Sequence, residues 1–336
     1  MKTCLVCVTL ATVLACQPVD RRGSPPPQAS ETTDTTAAIA APTSQPQVPP
    51  PVTSTSGGGG GATKVGTVVG FLTPESVLSD SAQDIYLVSN INGGPLTKDN
   101  NGFISRVRPD GAIEVLKFIE GGRGGVTLNA PKGLAELGDT LWVADIDVVR
   151  AFNARTGVPL DSVKLDSLGA VFLNDLAIAP NGAIYVTDTG IRFDDVGNIL
   201  HPGPDRVFRI GPDRKVTVAV RGDTLGRPNG ITLDAAGRRF IIVQYGGKAV
   251  MAWKPGDRAP SVVARGVGGY DGVEIVGGKI VVSSWTDSSI TRFDSTQGTK
   301  IISGVPSPAD IWYDGKRNRL LVPILTGNRV EIWQLK

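Results

Sequence analysis

Cysteine and histidine are nearly absent from this sequence, and their scarcity excludes several kinds of site. The three cysteines all lie within the first sixteen residues, and residues 17–336 contain none. The folded part can therefore form neither a disulfide nor a thiolate metal site. His201 is the only histidine, which argues against a zinc or copper centre built on imidazoles. No Gly-x-Ser-x-Gly motif, the mark of one class of serine nucleophile, occurs.

The sequence also lacks an excess of one charge and a long apolar run. The 34 basic and 32 acidic residues give a net charge of +2. No cluster of Lys or Arg is long enough to indicate a nucleic-acid interface. The apolar run at residues 3–14 is too short to cross a bilayer as a helix. We therefore expect no nucleic-acid partner and no transmembrane helix at this position.

A short string of residues is present six times along the chain. The copies are Pro74-Glu75-Ser76-Val77, Pro131-Lys132-Gly133-Leu134, Leu173-Asn174-Asp175-Leu176, Pro228-Asn229-Gly230-Ile231, Tyr270-Asp271-Gly272-Val273 and Pro308-Ala309-Asp310-Ile311. Their second residues lie 57, 42, 55, 42 and 38 positions apart. A repeat of roughly 40–50 residues that is rich in short strands is typical of a β-propeller blade. Six copies predict six blades.

Each repeat predicts four short strands, named A to D from the channel outwards. In the third repeat these strands cover residues 174–179, 184–188, 206–210 and 215–220. The last repeat ends with residues 329–335 as its third strand, and we predict that residues 64–71 supply the missing outer strand. The fold expected for residues 64–336 is thus an all-β, six-bladed β-propeller closed by an N-terminal outer strand.

The start of the chain has the features of an export signal. Residues 1–16 hold a basic residue, the apolar run and the box Val13-Leu14-Ala15-Cys16, which resembles a bacterial lipoprotein signal. The resemblance implies lipidation of Cys16, with an ordinary signal peptide and an incidental cysteine as the alternative. The residue after the cysteine is Gln17 and not an Asp. That implies an outer-membrane lipoprotein facing the periplasm or the cell surface.

Residues 17–63 have the composition of a linker. This segment is rich in Pro, Thr and Ser and contains five consecutive glycines. It holds too few large apolar residues to form a core, so we expect it to be disordered. Coil statistics give its ends a separation of about 40 Å. The expected membrane contact of the protein is therefore the lipid anchor alone, with the propeller held at a distance.

Propeller geometry places all six copies of the string, and the loops between strands B and C, at one mouth of the channel. The second residues of the string around the ring are Glu75, Lys132, Asn174, Asn229, Asp271 and Ala309. Four of them carry carboxylate or amide oxygens, which suit Ca²⁺, and their two negative charges match one divalent cation. We predict one calcium ion held by Glu75, Asn174, Asn229 and Asp271. The alternative is that Asn-Gly and Asp-Gly are simple turn formers.

The same mouth should also collect the residues that line a substrate pocket. The candidates are Lys132, Phe172, Asp145, Asp188, Tyr245, Trp285 and His201. Several of them end a B strand, and His201 lies in the longest loop between strands B and C. A single loop histidine is more often solvated than catalytic. Trp142, Trp253, Trp312 and Trp333 are expected to pack between blades instead.

In the motifs Pro74-Glu75-Ser76, Leu173-Asn174-Asp175, Pro228-Asn229-Gly230 and Tyr270-Asp271-Gly272, the chain resembles a known family. It is similar to the senescence-marker-protein, gluconolactonase and regucalcin-like six-bladed propellers from about residue 64 to the end. The resemblance implies that Glu75, Asn229 and Asp271 bind the metal directly. It implies that Asn174 is a further ligand or a substrate contact, and that Asp271 is the catalytic base for lactone hydrolysis.

One position departs from the sugar-lactone members of that family. They carry an Arg two residues before the equivalent of Asn174, and this chain has Phe172 there. Lys132 faces the same mouth and is a candidate to hold a substrate carboxylate. Two functions are compatible with the sequence: an exported, membrane-tethered, calcium-dependent hydrolase of a lactone or related ester, or a non-enzymatic ligand- or protein-binding propeller with a structural calcium ion. A small-molecule substrate or ligand is the expected partner, and the expected state is a monomer.

Overall fold

The computed structural model describes residues 60–236 and 238–336. The predicted signal peptide, Cys16 and the linker up to residue 59 lie outside the described residues. Within them, the helical segments are three 3-10 turns at Asp166–Leu168, Asp223–Leu225 and Leu325–Gly327. None of the described helices has the length and apolar character needed to cross a membrane.

The described residues form six four-stranded sheets and one two-stranded hairpin. The strands are β1 (Ala62–Val69), β2 (Pro74–Asp80), β3 (Ile85–Asn90), β4 (Phe103–Val107), β5 (Ile113–Glu120), β6 (Pro131–Leu137), β7 (Thr140–Asp145), β8 (Val148–Asn153), β9 (Pro159–Lys164), β10 (Leu173–Ile178), β11 (Ile184–Asp188), β12 (Arg192–Phe193), β13 (Ile199–Leu200), β14 (Arg206–Ile210), β15 (Val216–Arg221), β16 (Pro228–Asp234), β17 (Arg239–Gln244), β18 (Ala249–Trp253), β19 (Ser261–Arg265), β20 (Tyr270–Val276), β21 (Lys279–Ser284), β22 (Ser289–Phe293), β23 (Gly298–Ser303), β24 (Trp312–Asp314), β25 (Arg319–Ile324) and β26 (Arg329–Leu335). The sheets run β2-β3-β4-β5, β6-β7-β8-β9, β10-β11-β14-β15, β16-β17-β18-β19, β20-β21-β22-β23 and β24-β25-β26-β1. The predicted six-bladed propeller is confirmed.

The last blade is completed by the strand that precedes the first one. β1 pairs antiparallel with β26, from Ala62 opposite Leu335 to Val69 opposite Arg329. The predicted ring closure is confirmed, although the strand begins at Ala62 rather than at residue 64. Ala62 is buried in the hydrophobic cluster between the last two blades, so its burial extends the strand into the predicted linker.

The hydrophobic core lies between the blades. Six clusters of buried side chains in the described residues each join two neighbouring blades. Trp142, Trp253 and Trp333 are buried in three of them, and Trp312 packs half-buried against two others. Each Å² of buried apolar surface contributes about 25 cal/mol to stability. Because this surface lies between the blades, each blade is stabilised mainly by its two neighbours.

A β-bulge recurs in the inner strand of five blades, at the repeated string. In β2 the register shifts between Pro74 and Val77, so Glu75 and Ser76 together lie opposite Ser89 of β3. The Asn-Gly and Asp-Gly pairs of the fourth and fifth blades lie inside β16 and β20. The interpretation of these pairs as turn formers is therefore wrong: they are bulge residues at the channel.

Glycine at the third position of the string allows neighbouring blades to approach closely. A Cβ on Gly230 would clash with the backbone of Asp271, and a Cβ on Gly272 would clash with the backbone of Ile311. In each pair the second residue belongs to the next blade around the ring. The close approach of backbones at the channel therefore requires glycine at both positions.

Candidate active site

A cavity with a volume of about 330 Å³ opens at one mouth of the channel. Five of the six second residues of the string line it: Glu75, Lys132, Asn174, Asn229 and Asp271. They come from five different blades and are at most 5% exposed, so they form the floor. The sixth, Ala309, is fully buried and does not line the cavity. The bulge in each inner strand thus brings residues that are far apart in sequence to one place.

Three acceptor atoms on this floor have no hydrogen-bond partner among the described residues: Glu75 Oε2, Asn229 Oδ1 and Asp271 Oδ1. Most buried polar groups are paired, and leaving one unpaired costs about 1–3 kcal/mol. A positively charged group bound at the floor would satisfy these three unpaired oxygens. The donor set fits a calcium ion, since Ca²⁺ takes carboxylate and amide oxygens.

The side chain of Asn174 is oriented by its neighbour. Its Nδ2 donates to Thr189 Oγ1 at 3.0 Å, so the amide oxygen is the end of the side chain left for a ligand. The described residues contain no group of three or more His, Cys, Asp or Glu placed to hold a metal ion. A cation at this floor therefore has two carboxylates, Glu75 and Asp271, and needs the amide oxygens of Asn174 and Asn229 as well.

The two carboxyl groups of the floor are held in an environment that opposes their charge. Burial raises the pKa of Glu75 well above its usual range, and the nearby Asp271 and Asp310 raise it further. Burial, followed by the charge of Asp310, also raises the pKa of Asp271. Trp285 lies close enough to favour the charged form of Asp271, although its Nε1 makes no hydrogen bond of normal geometry. A cation bound here would reverse these shifts, because it stabilises both carboxylates.

Lys132 is the one basic side chain on the cavity floor in the described residues. Its Nζ donates to the carbonyl oxygens of Pro95 and Ala130, both at 3.1 Å, and lies 4.5 Å from the ring centroid of Phe172. Burial lowers the pKa of Lys132 to about 8, although the charge of Glu75 opposes the shift. The ammonium is therefore fixed in position beside the carboxylates.

Phe172, Tyr245 and Trp285 line the cavity, whereas three other predicted pocket residues do not. Asp145 accepts hydrogen bonds from the backbone of Ala130 and from Arg150. The other two are Asp188 and His201. Asp145 thus holds the segment just before β6, the strand that carries Lys132, and does not line the cavity.

Asp188 and His201 also make hydrogen bonds within the protein and do not line the cavity. Asp188 is fully buried and accepts from the backbone of Phe172 at 2.9 Å and from Gly190 at 3.2 Å. His201 Nε2 lies 2.6 Å from Asp205 Oδ1, and the ring does not line the cavity. Asp188 fixes its loop by accepting from backbone groups, and His201 is paired with Asp205.

Sequence reasoning missed Asp175 and Asp310, the acidic residues at the third position of the string. Asp175 Oδ2 accepts from the backbone nitrogen of Ile231 in the next blade at 2.7 Å, and Asp310 Oδ2 accepts from Ser76 Oγ at 2.6 Å. A signal was present, because the third position is Gly in three copies and a short polar residue in the other three. These side chains join neighbouring blades around the channel.

No family model matches the chain, and a search of curated proteins finds no match either. Solved structures do match. A gluconolactonase from Xanthomonas campestris shares 20% sequence identity, covers 82% of this chain and 90% of its own, and gives a TM-score of 0.61. A putative gluconolactonase shares 16% identity over 82% of this chain and 93% of its own, with a TM-score of 0.58. By its fold, this chain is a six-bladed β-propeller similar to the solved gluconolactonases.

Proposed function

We propose that this protein is a calcium-dependent hydrolase of a lactone or related ester. The observation that carries the proposal is the set of unpartnered oxygens of Glu75, Asn229 and Asp271 at the floor of one cavity. The similarity in fold to proteins described as gluconolactonases supports the choice of lactones. Fold alone does not assign an activity, so the floor residues are the main support.

The reaction adds water across the ester bond of the ring. Glu75, Asn174, Asn229 and Asp271 would hold a calcium ion, whose positive charge would stabilise the oxyanion. The oxygen of water forms a bond to the carbonyl carbon, and Asp271 accepts the proton that this water loses. The carbon–oxygen bond of the ring then breaks, and the same proton passes to the leaving alkoxide. The product is a hydroxy acid.

Environment suits Asp271 to this proton transfer. In the cation-free protein, burial and the neighbouring Asp310 raise the pKa of Asp271. Both also oppose the lowering of this pKa that a bound cation would cause, and so help the carboxylate to keep its basicity. The fixed ammonium of Lys132 places a positive charge at the floor, where it favours an anionic product or a substrate carboxylate. Each group acts from a position set by its own blade.

A second candidate is a non-enzymatic propeller in which the cation braces the ring. The observation in its favour is that Glu75, Asn174, Asn229 and Asp271 each come from a different blade. A cation that joins four blades would stabilise the folded ring whether or not it does chemistry. A measurement of lactone hydrolysis distinguishes the hydrolase from the non-enzymatic propeller.

We also propose that the protein is exported and attached to the outer membrane through lipid on Cys16. The lipoprotein-like box of residues 13–16 supports this. Replacing Cys16 by Ser should move the protein from the membrane fraction to the soluble fraction. Wild-type protein that is already soluble would contradict the proposal.

The experiment that tests the function combines calorimetry with a lactone panel. Protein stripped with a chelator is titrated with Ca²⁺, and hydrolysis of a panel of lactones is then measured with and without the ion. The proposal predicts heat of binding and hydrolysis that depends on Ca²⁺. Binding without hydrolysis would favour the bracing role, and no binding at millimolar Ca²⁺ would contradict both candidates.

A further inference from the structure

The cavity changes in chemistry from its floor to its mouth. Polar groups are concentrated at the floor, where Glu75, Asn229 and Asp271 are each 4% exposed. The wall above the floor comes from loops between strands B and C and is mostly apolar. Its main side chains are Ile91, Ile191, Phe193, Ile199, Trp285 and Leu325. A molecule that reaches the floor must therefore pass along apolar side chains.

The polar atoms near this wall are largely committed to the protein. Thr189 Oγ1 donates to the carbonyl of Pro228 at 2.8 Å and accepts from Asn174, and Lys132 Nζ donates to two carbonyls. Tyr245 and Thr73 are the remaining hydroxyl-bearing side chains of the lining. A substrate with many hydroxyl groups would lose water without gaining enough partners, which is unfavourable.

A short hairpin gives the wall its most exposed part. β12 and β13 pair Phe193 with Ile199 and Arg192 with Leu200. Residues paired across two strands share a face, and Phe193 and Ile199 line the cavity whereas Leu200 does not. Phe193 is 42% exposed and Ile199 is 48% exposed. Exposed apolar side chains that line a cavity indicate a surface covered by a ligand.

We propose that the cavity takes a lipophilic lactone or ester, whose carbonyl lies at the polar floor and whose alkyl or aryl chain lies along the wall against Phe193 and Ile199. The hydrolytic half of this inference rests on the proposed function. Binding of the apolar chain depends only on the lining and is tested separately. The continuity of the apolar wall with the floor identifies the occupant as part of the substrate.

The first test is a series of γ-lactones with alkyl substituents of increasing length, with gluconolactone as the polar comparison and the full chain loaded with Ca²⁺. Each methylene that becomes buried should raise kcat/KM about fourfold, until the chain leaves the cavity. Ile199→Ser should flatten this dependence on length. Leu200→Ser is the matched control, because Leu200 has the same exposure of 48% on the other face of the hairpin, and it should leave the dependence unchanged.

The second test measures binding without hydrolysis. Decanoate and gluconate, both monocarboxylates, are titrated calorimetrically into wild type, Ile199→Ser and Leu200→Ser. Decanoate should bind more tightly than gluconate, and Ile199→Ser alone should weaken it. If this holds while no lactone is hydrolysed, the binding half of the inference stands, and its hydrolytic half fails together with the proposed function.

Three results would overturn the inference. Gluconate binding as tightly as decanoate would show that the wall does not select an apolar chain. Equal effects of Ile199→Ser and Leu200→Ser on decanoate would show that the face of the hairpin does not matter. A kcat/KM that is independent of chain length, or highest for gluconolactone, would exclude a lipophilic substrate.

Discussion

The second and third residues of the repeated string form two rings around the same channel, and their polar atoms are paired differently. In the second-residue ring, oxygens of Glu75, Asn229 and Asp271 are buried without a hydrogen-bond partner in the part of the chain that the structure describes. In the third-residue ring, Asp175 and Asp310 accept hydrogen bonds from neighbouring blades. The two rings are adjacent in sequence and similar in burial, so the difference lies in where the bulge directs each side chain.

This difference separates stability from function. Paired groups in the third-residue ring connect the blades, and the glycines there allow the backbones to approach. Unpaired oxygens in the second-residue ring destabilise the cation-free protein, and such groups persist where function requires them. Substitutions in the second-residue ring should therefore change activity, and substitutions in the third-residue ring should change stability.

The largest effect is expected from Asp271→Asn. The amide keeps an oxygen at the floor but cannot accept the proton, so hydrolysis should fall by about 10²–10⁴-fold while the melting temperature of the cation-free protein stays close to wild type or rises. The measurement is kcat for the best lactone alongside thermal unfolding. Asp175→Asn in the third-residue ring is the comparison and should retain hydrolysis. Equal losses in the two variants would erase the distinction between the rings.

A smaller effect, on stability, is expected from Gly272→Ala. The added Cβ would clash with the backbone of Ile311 in the next blade, and overpacking of this kind costs about 1–3 kcal/mol. Gly315→Ala is the control, because its Cβ would meet only the ring of Tyr313 at 3.5 Å or more. Urea unfolding measures both. A Gly272→Ala protein as stable as the control would show that the blades can move apart.

Calcium should stabilise the protein through the second-residue ring alone. A ligand that binds only the folded state adds about 2.7 kcal/mol at a concentration one hundred times its Kd. Unfolding with and without Ca²⁺ measures this gain. Glu75→Gln should reduce the affinity, since it removes one of two carboxylates, whereas Asp310→Asn should leave most of the gain. A gain that survives Glu75→Gln unchanged would place the ion elsewhere.

The smallest effect concerns pH in the cation-free protein. Burial raises the pKa of Asp310 to about 7, with a hydrogen bond from Ser76 opposing the shift. The folded state then holds a proton that the unfolded state has released, so this contribution to stability is complete below about pH 4 and is lost as the pH rises through 7. Between pH 6 and 7 the loss is about 1 kcal/mol. The difference in unfolding free energy between wild type and Asp310→Asn measures it, and a difference that does not change with pH would contradict it.

Much of the fold could be predicted because its signals are local and repeated. The predicted second strand of the third blade, residues 184–188, and its third strand, residues 206–210, have the observed bounds of β11 and β14. The pairing of the two chain ends followed from counting strands in the last repeat. Alternating apolar residues and turn pairs specify such strands without reference to the rest of the chain.

The candidate site could be predicted only in part. Periodicity placed the second residues of the string together, and Phe172, Tyr245 and Trp285 line the cavity. Asp145, Asp188 and His201 were expected there but bind backbone groups or a neighbouring Asp. The apolar wall was not predicted, because irregular loops have no period from which the direction of a side chain follows.

The sequence by itself determined the number of blades, the strands within each and the ring closure, because hydrophobic alternation and turn residues act over a few positions. Tertiary structure decided which polar atoms stay unpaired. Thr187 Oγ1, for example, donates to the carbonyl of Asn229 in the next blade at 2.6 Å, while the amide oxygen of Asn229 has no partner. Whether a polar group is paired depends on contacts between residues of neighbouring blades, which lie 42 positions apart in this case, and such contacts exist only once the blades have packed together.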